Sequence, residues 1–255
     1  MSVGRSAWLA VGSVVGAAGL GWGTLQAVGL LAHEERTEQV VLDAAPIQVL
    51  DVVADGSIRV VAADVDEITI TARVSDGLRR AENDHRVVGH RLVVRGSCPT
   101  FDIMWCGVGY TIEVPPGTQV VARSENGRIE LTGVAGDVDA ESDNGSVVAT
   151  DLSGSARLVS TNGSVRGTRL SGPVVDADSD NGAVLLEFAD APQAVSARSD
   201  NGRVDVVVPR TDVLYRVDIS ASNGSEVNDV RTDPESERSM TVHSDNGDVS
   251  IRYAG

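Results

Sequence analysis

Residues 138–147 read VDAESDNGSV, and nearly the same pattern recurs around seven Asn-Gly steps in the second half of the chain. The steps are Asn126-Gly127, Asn144-Gly145, Asn162-Gly163, Asn181-Gly182, Asn201-Gly202, Asn223-Gly224 and Asn246-Gly247. Successive Asn residues are 18, 18, 19, 20, 22 and 23 residues apart. A period of this length predicts a repeat architecture.

Each Asn-Gly step is flanked by short segments in which apolar and polar residues alternate. Such alternation predicts half-buried strands. Asn and Gly both tolerate positive φ, so each step is interpreted as a tight corner of the backbone. The sequence therefore predicts an all-β fold whose repeats contain two short strands and no helix.

Two architectures fit such repeats. An Asn-Gly hairpin in every repeat would give an antiparallel β-sandwich or meander. Alternatively, each repeat of 18–23 residues is one coil of a β-solenoid, with equivalent corners stacked above one another. The solenoid is favoured, because a corner Asn can then bond its counterpart one coil away. Its thin interior also suits the scarcity of aromatic residues between Thr118 and Val208, where Phe188 is the only one.

The N-terminal part of the chain carries an apolar stretch. Residues 7–32 contain no charge, and as a helix these 26 residues would extend about 39 Å, enough to cross a bilayer. We predict an uncleaved transmembrane signal anchor, with a cleaved signal peptide as the alternative. Arg5 is the only charged side chain before the span, so the positive-inside rule places residues 1–6 in the cytoplasm and residues 33–255 outside the cell membrane.

The predicted exterior part divides into three segments. Residues 33–45 are interpreted as a polar linker. Residues 46–117 are predicted to form N-terminal coils with a charged insertion and a disulfide loop. Residues 118–255 are predicted to form the regular repeat solenoid.

Composition excludes some partners and chemistries. The formal net charge is -16, and the 21 basic residues are all Arg without a dense cluster, so we expect no nucleic-acid partner. Chemistry that depends on lysine is excluded because the chain has none. No cofactor is expected, and the sequence does not predict an oligomeric state.

The chain has two cysteines, Cys98 and Cys106, which are predicted to form a disulfide in an oxidising compartment. No metal site is expected there, because a second pair of ligands is missing. Phe101, Met104, Trp105 and Tyr110 gather apolar surface around this loop and form a candidate contact loop. The alternative, that they cap one end of the repeat stack, is favoured.

Acidic residues precede most of the corner Asn residues. They are Glu125, Asp143, Asp180, Asp200 and Asp245. Calcium binding is one interpretation, but Thr161 and Ser222 interrupt the series, so solvated turn carboxylates are favoured. No Ser-His-Asp order, nucleophile elbow or phosphate loop is recognisable, so the chain is not expected to be an enzyme. Deamidation is a separate hypothesis, because a flexible Gly follows each corner Asn.

The segment Tyr110-Thr-Ile-Glu-Val-Pro-Pro-Gly117, followed by serial Ser-x-Asn-Gly repeats, resembles a known family. It is similar to the bacterial putative-adhesin domain of the toast-rack type, across roughly residues 40–255. The resemblance implies an envelope-exposed, often membrane-anchored β-solenoid without established catalytic residues.

These features lead to an expected function. We expect a single-pass membrane protein that presents a β-solenoid for non-catalytic contact, as an adhesin or surface-sensing module. A cell-wall or surface polymer would be its partner. The alternatives are a structural or regulatory partner of another membrane protein and, third, an anchored enzyme acting on polysaccharides.

Overall fold

The computed structural model describes residues 34–76, 80–99 and 106–255. These residues form 21 strands and no helix, which confirms the all-β prediction. No helix long and apolar enough to cross a membrane is found in this part of the chain. The predicted cytoplasmic residues 1–6 and the predicted anchor 7–32 lie outside the described residues.

The strands are β1 Glu34–Asp43, β2 Val49–Ala54, β3 Ile58–Ala62, β4 Glu67–Asp76, β5 Glu82–Val88, β6 Arg91–Ser97, β7 Gly107–Val114, β8 Gln119–Ser124, β9 Ile129–Thr132, β10 Val138–Ser142, β11 Val147–Thr150, β12 Ala156–Ser160, β13 Val165–Leu170, β14 Val174–Ser179, β15 Val184–Phe188, β16 Ala194–Ser199, β17 Val204–Val208, β18 Arg216–Ala221, β19 Glu226–Asn228, β20 Ser239–Ser244 and β21 Val249–Tyr253.

Two large sheets of mostly parallel strands contain all of these elements. Sheet 1 has 11 strands in the order β1-β4-β7-β3-β9-β11-β13-β15-β17-β21-β19. Sheet 2 has 10 strands in the order β18-β20-β16-β14-β12-β10-β8-β2-β6-β5. Each repeat gives one strand to sheet 2 and the next to sheet 1.

Strands of successive repeats pair in parallel at equivalent residues. Val138 on β10 pairs with Val120 on β8 and with Ala156 on β12. The two strands that flank an Asn-Gly step therefore lie in different sheets. The alternative of antiparallel Asn-Gly hairpins is wrong for these repeats, because the backbone bonds run between repeats and not across the corner.

The apolar core lies between the two sheets. In β10, Val138 and Ala140 are buried while Asp139 and Glu141 face outward, as period-two alternation requires. Gly167 is also buried, and a Cβ there would lie 2.6 Å from Leu170 Cδ1. The Leu170 side chain thus fills the space, beside an irregularity in the β13–β15 register.

The order of the repeats in space differs from their order in the chain at both ends. Strands β2 and β3 lie between β6/β7 and β8/β9, and strands β20 and β21 lie between β16/β17 and β18/β19. The first repeat of the chain, formed by β2 and β3, and the last, formed by β20 and β21, are therefore internal to the sheets. We call the end formed by β18 and β19 the distal end.

The predicted linker 33–45 is wrong, because this stretch contains β1, which pairs antiparallel with β4. The charged insertion likewise contains a strand, β5, which pairs antiparallel with β6. Val40 and Leu42 of β1 pack against the core.

Polar side chains close the end of the sheets that contains β1 and β5. Arg36 Nε lies 2.7 Å from Glu38 Oε1, and Arg36 also forms an ion pair with Asp76. Asn83 Nδ2 donates to Glu38 Oε2 at 2.8 Å, and the Tyr110 hydroxyl donates to Asn83 Oδ1 at 2.8 Å. The buried polar groups here have partners, which buried polar groups need for stability.

Candidate functional site

The serine of each Ser-x-Asn-Gly corner lies inside the protein. Ser142 is fully buried; its Oγ accepts the Gly145 N–H at 3.0 Å and donates to the Gly127 carbonyl of the neighbouring repeat at 2.9 Å. Equivalent hydroxyls donate to a glycine carbonyl of the repeat beside them in space, from Ser124, Ser160, Ser179, Ser199 and Ser244. These bonds tie neighbouring repeats together from within.

The corner asparagines form a second set of bonds on the outside. Asn144 Nδ2 donates to Asn126 Oδ1 and to the Glu125 carbonyl, both at 3.0 Å. The amide-to-amide bond repeats from Asn162, Asn181, Asn201, Asn246 and Asn223. All seven corner asparagines thus belong to one ladder.

The corner glycines are needed for close approach of the backbone. A Cβ on Gly145 would lie 2.0 Å from the Gly127 carbonyl oxygen, and one on Gly163 would lie 2.5 Å from the Gly145 oxygen. None of the corner glycines has φ in the left-handed region; among the described residues that region holds Gly89, Gly133, Asp151 and Arg169. The interpretation of these corners through positive φ is therefore wrong, and the stacking distance is what demands glycine.

The acidic residues before the corner asparagines are exposed. Within the described ranges, no group of three or more His, Cys, Asp or Glu is arranged to hold a metal ion. The structure thus places these carboxylates in water at the outer edge of the amide ladder.

Cys98 and Cys106 form the predicted disulfide, with their Cα atoms 5.8 Å apart. The loop that it closes joins β6 to β7, where other repeats have their Ser-x-Asn-Gly corner. Phe101, Met104 and Trp105 lie outside the described residues. Tyr110 is only 2% exposed, so it belongs to the core and not to a contact surface, and burial raises the pKa of its hydroxyl.

The structure brings together a Ser-His-Asp cluster that the sequence did not predict. Ser220 Oγ lies 2.8 Å from His243 Nδ1, and His243 Nε2 lies 3.1 Å from Asp245 Oδ1. Ser220 and His243 are paired residues of adjacent parallel strands that are distant in sequence, so only the pairing of β18 with β20 could have revealed the cluster.

The surroundings of this cluster do not suit acyl transfer. A nucleophilic serine needs hydrogen-bond donors beside it to stabilise an oxyanion. The N–H of Ala221, the next residue, instead donates to Glu226 at 2.9 Å. Ser220 and Asp245 are both exposed. The Ala221 N–H is therefore already bonded to a carboxylate, and the cluster forms a hydrogen-bond chain at the surface.

The outer faces of both sheets carry paired charges. On sheet 2, Asp139 lies 3.2 Å from both Arg123 and Arg157, so cations and anions alternate across strands. On sheet 1, Thr132, Thr150 and Thr168 lie in one register row, beside two grooves lined by arginine. On sheet 1, Arg59 and Arg128 likewise share Glu130, so both faces carry cross-strand ion pairs.

Comparisons with known proteins find similarity to solved structures only. No family model and no curated protein matches the chain. A putative adhesin from Bacteroides fragilis is 12% identical, covers 86% of this chain and 97% of its own, and has a TM-score of 0.42. A putative cell adhesion protein from Clostridium sporogenes is 10% identical, with coverage of 87% and 100% and a TM-score of 0.37.

A protein from Parabacteroides distasonis described as a putative lipid binding protein is 11% identical, with coverage of 87% and 97% and a TM-score of 0.37. Structural neighbours of the chain are thus bacterial proteins described as putative adhesins, the kind of domain that its corner pattern resembles. At these identities and TM-scores, the neighbours carry no argument about the function of this chain.

Proposed function

We propose that this chain is a non-catalytic envelope protein that presents a β-solenoid for contact with surface material. One observation carries the proposal. The serine and asparagine ladders hold successive repeats in fixed register, so the outward side chains form rows on two rigid faces. Binding of a partner to such rows costs this protein little conformational entropy, because the rows are already held in place before binding.

The solenoid and the membrane anchor are parts of the same proposal. The two sheets would be the two walls of one solenoid, since each repeat gives one strand to each sheet. Residues 7–32 would anchor the chain in the cell membrane with residues 33–255 outside, as their apolar composition favours. The disulfide suits such an oxidising location.

Co-sedimentation with isolated cell-wall material tests the proposal. We expect saturable binding by the folded chain and none by the heat-unfolded chain. A second arm carries Phe101→Ser/Trp105→Ser, with circular dichroism to verify folding, and asks whether the predicted contact loop contributes. Absence of saturable binding by the folded wild-type chain would contradict wall contact.

A second candidate is a partner role for another membrane protein, and the distal end favours it. Val217 and Ile219 occupy inward positions of β18 yet are only half-buried, and Val227 on β19 is 43% exposed. Edge strands with apolar surface readily accept a further strand. A photo-crosslinker at Ile219 should then give one discrete membrane-protein adduct, while a crosslinker at Val159, on the outer face of sheet 2, should not.

A further inference from the structure

We propose that the outer face of sheet 1 binds an unbranched anionic polymer through two arginine-lined grooves. This inference rests on the proposed contact function and specifies the chemistry of the partner. The polymer would carry repeated carboxylate or phosphate groups, which arginine recognises with paired hydrogen bonds.

The first groove lies near the β1 end of the sheet. Arg59, Arg73 and Arg128 line it from three different parts of the chain. Gly109 on β7 pairs with Arg73 on β4, forms part of the lining and contributes no side chain, so the groove stays open beside Arg73. Ser57 and Thr111 add hydroxyl groups.

The second groove lies further along the same face. Arg166, Arg203 and Arg252 line it, together with Leu185 and the backbone of Gly167. Arg203 directly follows a corner glycine, as Arg128 does in the first groove. Equivalent positions of the repeat thus supply one arginine to each groove.

Three carboxylates line the two grooves: Glu130 in the first, and Asp205 and Glu187 in the second. Two of the three are in ion pairs. Glu130 forms ion pairs with both Arg59 and Arg128. Asp205 lies 3.3 Å from Arg203 and accepts a hydrogen bond from Ser250 at 2.7 Å.

The cationic character of the grooves comes from three other arginines. Among the described residues, Arg73, Arg166 and Arg252 have no carboxylate partner, and all three are exposed. The overall charge of -16 opposes a polyanion at long range. At physiological ionic strength, however, charges are screened beyond about 8 Å, so the arginines of each groove dominate locally.

The register places the two grooves in one line across the strands. Arg59 on β3, Glu130 on β9, Val148 on β11 and Arg166 on β13 are successive partners in sheet 1. Three strand spacings separate Arg59 from Arg166, or about 14 Å. Uncharged Val148 and Thr150 lie between the grooves. One polymer chain can therefore contact both grooves, and the second contact is then intramolecular, which strengthens binding.

Binding of two labelled polymers to the full chain in neutral detergent micelles tests this inference. Polygalacturonate supplies carboxylates and polyphosphate supplies phosphates, so the two arms distinguish the anionic group. Arg73→Gln removes charge from the first groove, and Arg166→Gln/Arg252→Gln removes it from the second. The matched control is Arg198→Gln/Arg216→Gln, which removes two exposed arginines from the outer face of sheet 2.

We expect at least one polymer to bind, each groove variant to weaken binding about tenfold or more, and a digalacturonate or pyrophosphate dimer to bind about a hundredfold more weakly than the polymer. The control should change affinity by less than about twofold, because its arginines lie outside the grooves. Equal losses in control and groove variants, or no binding of either polymer, would overturn the inference.

The wall sedimentation assay separates this inference from the proposed function. Wall binding that survives in both groove variants would leave surface contact standing and refute the grooves as its basis. Polymer binding that depends on the grooves, without wall binding by wild type, would refute wall contact while the grooves stand.

Discussion

At the scale of single residues, the buried serine hydroxyl joins its own corner to that of the neighbouring repeat. Ser142→Ala would leave the Gly145 N–H and the Gly127 carbonyl without their partner. We expect a loss of about 1–3 kcal/mol in the free energy of unfolding, since buried polar groups would be unsatisfied. Urea denaturation measures it. Ser222→Ala is the control: Ser222 is exposed and its hydroxyl donates to Asp245, so an equal loss there would contradict this account.

Glycine at the corner is demanded by distance, and a second prediction follows. Gly145→Ala would place a methyl group 2.0 Å from a backbone oxygen, which cannot move without displacing a whole repeat. We expect a loss of about 3 kcal/mol or more. Gly117→Ala is the matched control, because nothing lies within 4 Å of its added Cβ. If the two variants melt at the same temperature, the repeats can move apart to accommodate the methyl group, and the prediction is wrong.

The corner also determines how quickly each asparagine ages. Deamidation requires the following backbone nitrogen to attack the Asn side chain, but the Gly145 N–H donates to Ser142 and the Asn144 amide is held in the ladder. At the distal corner, Ala221 occupies the position of Ser142, so this corner lacks the serine hydroxyl that accepts the glycine N–H at the Asn144 corner. We therefore expect Asn223 to deamidate first and Asn144 among the last in peptide mapping of protein stored at pH 8. A uniform rate at all corners would refute this protection.

At the scale of elements, strand β14 contains a destabilising carboxylate. Burial raises the pKa of Asp178, and Arg198 offsets this only in part. Because its folded-state pKa is raised, the folded protein favours the protonated Asp178 carboxyl. The carboxylate that forms as pH rises through this pKa therefore destabilises the folded state. Asp178→Asn should thus stabilise the protein at pH 7, by less than about 1 kcal/mol given solvent screening, and lose this advantage in acid.

The control for this prediction is Asp139→Asn on β10, which removes ion pairs with Arg123 and Arg157 and should not stabilise the protein. Chemical denaturation of both variants at pH 7 and at pH 3 provides the comparison. If Asp139→Asn stabilises the protein at pH 7 as much as Asp178→Asn does, the effect comes from net charge alone and the burial of Asp178 does not explain it.

Elements whose pattern is local could be predicted from sequence, whereas those that depend on distant partners could not. Strand β10 follows from alternation within Val138–Ser142, and the all-β class follows from many such segments. Strand β1 was predicted as a linker because its first half is polar, and the partners of Arg36 and Glu38, Asp76 and Asn83, lie in strands far along the chain. The Ser220–His243 contact and both grooves likewise depend on which strands pair, and alternation does not encode that order.

At the scale of the whole molecule, the solenoid that we infer predicts that one coil can be removed. Deleting residues 138–155 would bring Ala156 against Val120, in the position that Val138 occupies, and Gly163 over Gly127. Because each coil contacts only its neighbours, the shortened chain should still fold cooperatively, with a reduced free energy of unfolding.

The control is deletion of residues 138–146, half a coil, which would place β11 where β10 belongs and remove one corner from both hydrogen-bond ladders. Circular dichroism and a urea titration compare the two deletions. A solenoid predicts cooperative unfolding for the whole-coil deletion and loss of structure for the half-coil deletion. If both chains are unfolded, the sheets depend on every strand together, and the inference of independent stacked coils is wrong.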